Sequence, residues 1–158
     1  MSGQARFRYA LEPILLTRQW ALDALLLELG EANAQLAECR ANCAAAREQL
    51  DQAAVQWRAL GAGAQALSVD QFMRLARYMD ERGAHLRALE QAQALKEQER
   101  DALIDQVAAA QRGIDAVERH RKRMQAQFVK ARTSGDFKIA DDQWGMLQAG
   151  LANHDNQI

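Results

Sequence analysis

Few side chains in this chain of 158 residues combine a reactive type with a useful spacing. Cys39 and Cys43 stand four apart on a predicted helix, where they share one stripe and close no distant loop. They could bind a soft metal or bridge two molecules, but they read first as plain thiols of a reducing compartment and as small core filler. His85, His120 and His154 are scattered, with no carboxylate or cysteine at metal-ligand spacing, so no metal site is expected. Glycine-rich phosphate loops, nucleophile motifs and paired acid/base residues are all missing from the sequence. What stands out is positive charge. Arg119, Arg121, Lys122 and Arg123 are followed by Lys130 and Arg132, and Arg6 and Arg8 lie near the N-terminus. Phe7, Tyr9 and Phe128 stand among these charges, and aromatics beside arginines are enriched where proteins dock. A protein partner is favoured over nucleic acid, because 20 Lys+Arg against 21 Asp+Glu cancel the long-range attraction that a polyanion would feel.

The elements that must position these groups are helices. Only one proline occurs, the 49% of hydrophobic residues are largely alanine and leucine, and aromatics make up 6%. That is the composition of long helices, and no window alternates in the manner of a strand. Leu15, Leu22, Leu29, Leu36, Cys43, Leu50 and Trp57 repeat every seven residues. Three residues further on in each heptad come Arg18, Leu25, Ala32, Cys39, Ala46, Ala53 and Leu60, mostly small, so a partner helix can approach closely. A second register runs from Phe72 through Met79, Leu86, Gln93, Arg100, Val107, Ile114, Arg121 and Phe128. Three residues on come Leu75, Arg82, Leu89, Lys96, Leu103, Ala110, Val117, Met124 and Ala131, and the polar seam positions Gln93, Lys96 and Arg100 suggest that the seam drifts there toward Ala92 and Leu95.

Gly61 and Gly63 end the first pattern, and Ser68 with Gln71 opens the next as a capping box. The expected fold is therefore all-α: a long antiparallel two-helix coiled-coil hairpin over residues 1–132. Its arms cover about 13–60 and 69–132, its turn covers 61–68, and a flexible or partly helical C-terminal tail covers 133–158. Folding about that turn sets residue i against roughly residue 129 − i, for example Cys43 against Leu86 and Leu22 against Val107. The pairing gathers Arg6, Arg8 and the cluster from Arg119 to Arg132 at one end. It leaves Trp57, Phe72 and Tyr78 flanking the turn at the other, where they close the hairpin core or form a contact patch. The apolar stretch after Arg8 is interrupted by Glu12, Pro13, Arg18 and Asp23, so neither a signal peptide nor an integral membrane segment is expected. A two-helix hairpin offers no enclosed pocket in which to shift a pKa, which argues against an enzyme, a cofactor or a small-molecule substrate.

Three segments together resemble the FliJ/YscO family, the stalk proteins of flagellar and virulence type III export ATPases. They are Phe7-Arg8-Tyr9 with Leu11, Leu15-Leu16 and Arg18; Ser68-Val69-Asp70-Gln71 with Tyr78; and Glu118-Arg119-His120-Arg121-Lys122-Arg123 continuing to Phe128. The likeness spans nearly the whole chain. It implies a cytoplasmic protein at the inner-membrane face of a secretion apparatus, with one end seated in the pore of a hexameric ATPase and the other meeting the cytoplasmic ring of the export gate. Some members of the family also handle export chaperones. Carried over residue by residue, the resemblance implies that Arg6, Phe7, Arg8, Arg119, Arg121, Lys122, Arg123 and Phe128 face the ATPase pore. It assigns Tyr78, with Trp57 and Phe72 beside it, to the gate. Arg82 departs from the pattern, standing where flagellar relatives tend to carry an apolar residue. The alanine-rich composition leans toward the virulence branch. The alternatives are a generic coiled-coil adaptor that assembles through its seams and, behind it, a basic coiled coil that binds nucleic acid with steep salt dependence.

Overall fold

A computed structural model of the chain describes residues 6–63 and 68–155, with side chains described as far as Leu147. Residues 64–67, in the middle of the expected turn, lie outside the described residues. The protein is an all-α helical hairpin of two long helices packed against each other, α1 (Glu12–Ala62) and α2 (Val69–Asp155). Both start where the local chemistry favours it. Glu12 and Pro13 occupy the first turn of α1, where a carboxylate meets the positive helix end and proline has no intrahelical bond to lose. Ser68 caps α2: its Oγ accepts the Gln71 N–H at 3.4 Å and its carbonyl accepts the Phe72 N–H at 3.1 Å. Among the described residues no glycine has positive φ, so Gly61 lies inside α1, whose last residue is Ala62.

Contacts group the chain into two units, one of Ala21–Ala109 and one of the described residues up to Trp20 with those from Ala110 onward. Within the Ala21–Ala109 unit the heptad columns of α1 are the buried face. Leu36, Cys43, Ala46 and Ala53 are almost fully covered, and Leu22, Leu25, Leu29, Ala32, Cys39, Leu50, Trp57 and Leu60 are half-buried. Every α2 column position from Phe72 to Val107 is likewise half-buried.

The seam does not drift as the sequence suggested. Gln93, Lys96 and Arg100 stay half-buried in column, while Ala92 is exposed and Leu95 is 61% exposed. Their hydrocarbon stems cover the seam and their polar ends turn outward to carboxylates: Gln93 to Glu97 at 3.1 Å, Lys96 to Glu99 at 2.7 Å and Arg100 to Asp101 at 2.7 Å. Two ion pairs bridge the helices at heptad spacing, Arg40 to Glu97 at 3.0 Å and Arg47 to Glu90 at 2.7 Å. Each joins positions just beside the seam columns of the two helices, where long side chains reach past the directly opposed residue. Hydrogen bonds from Arg40 and then Gln93 hold the Glu97 carboxyl below its ordinary range. With its folded value depressed, that group stabilises the fold above its unfolded value, and the contribution is lost as pH falls through the folded one.

Gly30 and Gly83 interrupt these helices without need. A Cβ on Gly30 would meet nothing within 4 Å, and one on Gly83 would meet only the Arg87 Nη1 at 3.7 Å. The double substitution Gly30→Ala/Gly83→Ala is expected to add about 1.5–2 kcal/mol from backbone entropy alone. The measure is the urea midpoint at unchanged slope, and an unchanged midpoint would contradict it.

In the other unit Leu15 and Ile114 are the buried pair. Arg18, the polar exception in its heptad column, lays its guanidinium over Gly113, where any side chain would meet its Nη1. The second helix passes through Thr133-Ser134-Gly135-Asp136 and ends at Asp155, whereas the sequence reading closed the second arm at residue 132. No proline follows Pro13, and one glycine costs only about 1 kcal/mol, so the helical hydrogen bonds continue.

Candidate functional site

The candidate docking site lies in the unit that holds the N-terminal segment. A short turn, with the Glu12 N–H donating to the Tyr9 carbonyl at 3.2 Å, leads residues 6–11 into α1. Aromatic contacts fix that segment to α2. The Phe7 and Phe128 ring centroids are 5.6 Å apart, those of Phe7 and Tyr9 are 6.5 Å apart, and those of Tyr9 and His120 are 5.8 Å apart. The Tyr9 hydroxyl donates to the Val117 carbonyl at 3.2 Å and lies 2.9 Å from the His120 Nδ1. The hydroxyl thus ties residue 9 to both the backbone and a side chain of α2, with the direction of the His120 hydrogen bond set by the imidazole tautomer.

Around this anchor the charged candidates point to solvent. Arg6, Arg8, Arg119, Arg121, Lys122 and Arg123 are all exposed, while Phe7 and Phe128 are half-buried against each other. Arg119, Lys122 and Arg123 line one shallow groove with Ala116. Arg121 faces another side, where it reaches Glu12 at 3.5 Å and borders a groove with Phe7, Arg8 and Tyr9. Arg119 is steadied by its own helix, its Nε donating to the Asp115 carbonyl at 3.2 Å. The result is a ridge of fixed, solvated cations beside a partly covered aromatic cluster, suited to an acidic and aromatic-accepting protein surface.

His120 and Glu12 were not among the residues expected at this site. The signal for His120 was present, since the pairing about the turn sets residue 120 opposite residue 9. The Glu12 pair could not be read that way, because a long arginine reaches past its opposed position.

Near the turn, the structure brings two of the three remaining candidates together. Trp57 and Phe72 have ring centroids 3.8 Å apart and are both half-buried, so they close the hairpin core. Tyr78 is 38% exposed and lies in an open groove of about 730 Å³ with Gln56, Ala59, Leu60, Gln71, Arg74 and Leu75. Arg82 stacks over its ring at 5.2 Å, and the Arg82 Nε is buried with no hydrogen-bond partner among the described residues.

Arg82 is thus a strained choice for a seam position. Arg82→Leu is expected to raise the stability of the Ala21–Ala109 unit by about 1 kcal/mol, as removal of an unpaired donor outweighs a cation–π contact worth about 0.5 kcal/mol. A thermal melt showing loss instead would mean that the guanidinium is satisfied by water.

No protein-family model, no curated protein and no solved structure matches this chain. Among the described residues, no group of three His, Cys, Asp or Glu could hold a metal ion, and no helix is long and apolar enough to cross a membrane.

Proposed function

We infer that the protein is a non-catalytic central stalk of a type III secretion export ATPase. Its basic and aromatic end enters the pore of the ATPase hexamer, and the residues around the turn meet the export gate at the cytoplasmic face of the apparatus. The observation that carries this reading is the joining of Arg119, Arg121, Lys122 and Arg123 on α2 to the N-terminal Arg8 by the Phe7–Phe128 and Tyr9–His120 contacts. Those contacts bring the N-terminal segment beside the basic stretch of α2, which supports a shared docking role for the two. A single asymmetric hairpin inside a ring of six subunits has six equivalent seats, which lowers the barrier for stepping from one to the next. The gate contact falls to Tyr78, the most exposed of the three aromatics near the turn, with Trp57 and Phe72 supporting it from the core. Export chaperones are a further class of partner. The test is binding to, and stimulation of, the cognate ATPase hexamer by the wild type and by a variant in which Arg119, Arg121 and Arg123 are replaced. Unchanged binding and stimulation would remove the pore assignment.

A further inference from the structure

From Val129 to Leu147 every side chain of α2 is exposed and only Gly135 is half-covered, yet this length of helix is not polar. Phe137 is 70% exposed, Trp144 64% and Leu147 62%. At about 100° per residue these three fall with Ala126, Thr133 and Ala140 on one stripe, spanning about 80° of the helix. The stripe lies about half a turn around α2 from Phe128, the side chain that meets Phe7, so it is a separate face and not a continuation of the hairpin seam.

The stripe has two columns of seven-residue period. One is small until its last member, with Ala126, Thr133, Ala140 and then Leu147, and the other is larger, with Lys130, Phe137 and Trp144. Two copies running antiparallel would place Phe137 against Thr133 of the other and Trp144 against its Ala126, large against small at both aromatic positions. The flanking charges obey the same register. Lys130 comes beside Asp141 of the other copy, and Arg132 comes near its Asp136, because the segment is basic before residue 133 and acidic after it. A parallel pair would set Phe137 on Phe137 and like charges side by side. A lipid surface fits less well, since Asp136, Asp141 and Asp142 repel anionic headgroups.

We propose that the stripe of α2 from Ala126 to Leu147 is a self-association surface, on which a second copy of this chain docks antiparallel to form a two-fold helix pair. The stripe is laid out by helix geometry alone and does not depend on the ATPase reading. The test is sedimentation equilibrium on the full chain from low micromolar to hundreds of micromolar, with the double variant Phe137→Gln/Trp144→Gln beside it. The wild type is expected to shift from monomer to dimer. The double variant should keep its helical signal and the unfolding of both units while its dimer dissociates at about tenfold higher concentration. Lys130→Glu should weaken the dimer, and Lys130→Glu/Asp141→Lys should recover it. A benzophenone amino acid in place of Trp144 should crosslink to peptides around Ala126 of another chain. The proposal is overturned by a wild type that stays monomeric throughout, by a dimer that survives the double substitution, or by crosslinks that return to the residue-144 region of the other chain or to α1. Transfer of Trp144 into neutral lipid vesicles in place of pairing would also overturn it.

Discussion

Leu36→Ala is expected to destabilise the Ala21–Ala109 unit by about 3 kcal/mol, read as a lowered urea midpoint at unchanged slope. Among the described residues of that unit Leu36 is the one large aliphatic side chain that is almost fully covered, at 2% exposure; the other buried members are Cys43, Ala46 and Ala53. A thin seam with so few large members has little to close over a gap. It can relax sideways more than a globular core can, which puts the cost in the middle of the usual range for leucine truncation and not at its top. Leu27 supplies the internal comparison, since it lies on the same helix at 68% exposure. Leu27→Ala should change stability by less than about 0.5 kcal/mol. Hydrogen exchange would locate the effect: in Leu36→Ala, amides within 21–62 and 69–109 should lose protection together. Equal costs for Leu36 and Leu27 would mean that the heptad face of α1 is not the face that holds this unit together.

On the stalk function proposed above, replacing Arg119, Arg121 and Arg123 by glutamate should weaken binding to the ATPase hexamer by about 30-fold or more, with most of the loss at low salt. Each of these side chains is exposed, so each contributes modestly alone, and reversal turns three attractions into three repulsions. The fold should tolerate the change. Among the described residues only Arg121 of the three has a carboxylate partner, Glu12 at 3.5 Å, and both side chains of that pair are more than 40% exposed. Helical signal and urea midpoint should therefore match the wild type, which separates a lost docking surface from a lost fold. Raising the salt concentration should weaken wild-type binding and, by screening the introduced repulsions, strengthen the variant's. A variant that binds as tightly as the wild type, with the same salt response, would place the ring contact elsewhere on the chain.

The degree to which the site could be read in advance follows from the range of each interaction. The exposure of Arg6, Arg8 and Arg119 to Arg123 follows from charge and helical period, which are local. That Phe7 and Phe128 are half-buried partners, not free anchors, depended on where residues 6–11 lie on α2, and the sequence holds no short-range signal for that. Trp57 and Phe72 carried two open readings in the sequence, core closure or contact patch, and their 3.8 Å approach decides for the core.

By itself the sequence determined the presence of two long helices, the start of α2 at Val69 behind the Ser68 cap, and which columns of α1 are covered, because period and capping are properties of a few consecutive residues. Tertiary structure decided what depends on side chains meeting across the hairpin. It kept Gln93, Lys96 and Arg100 in the seam, where stems long enough to carry their charges outward make a drift toward Leu95 unnecessary. It joined Arg40 to Glu97 and Arg47 to Glu90, since long ion-pairing chains reach beyond the opposed position that the turn prescribes. It also set Arg18 over Gly113, a fit between a guanidinium on one helix and a missing side chain on the other that neither stretch of sequence specifies alone.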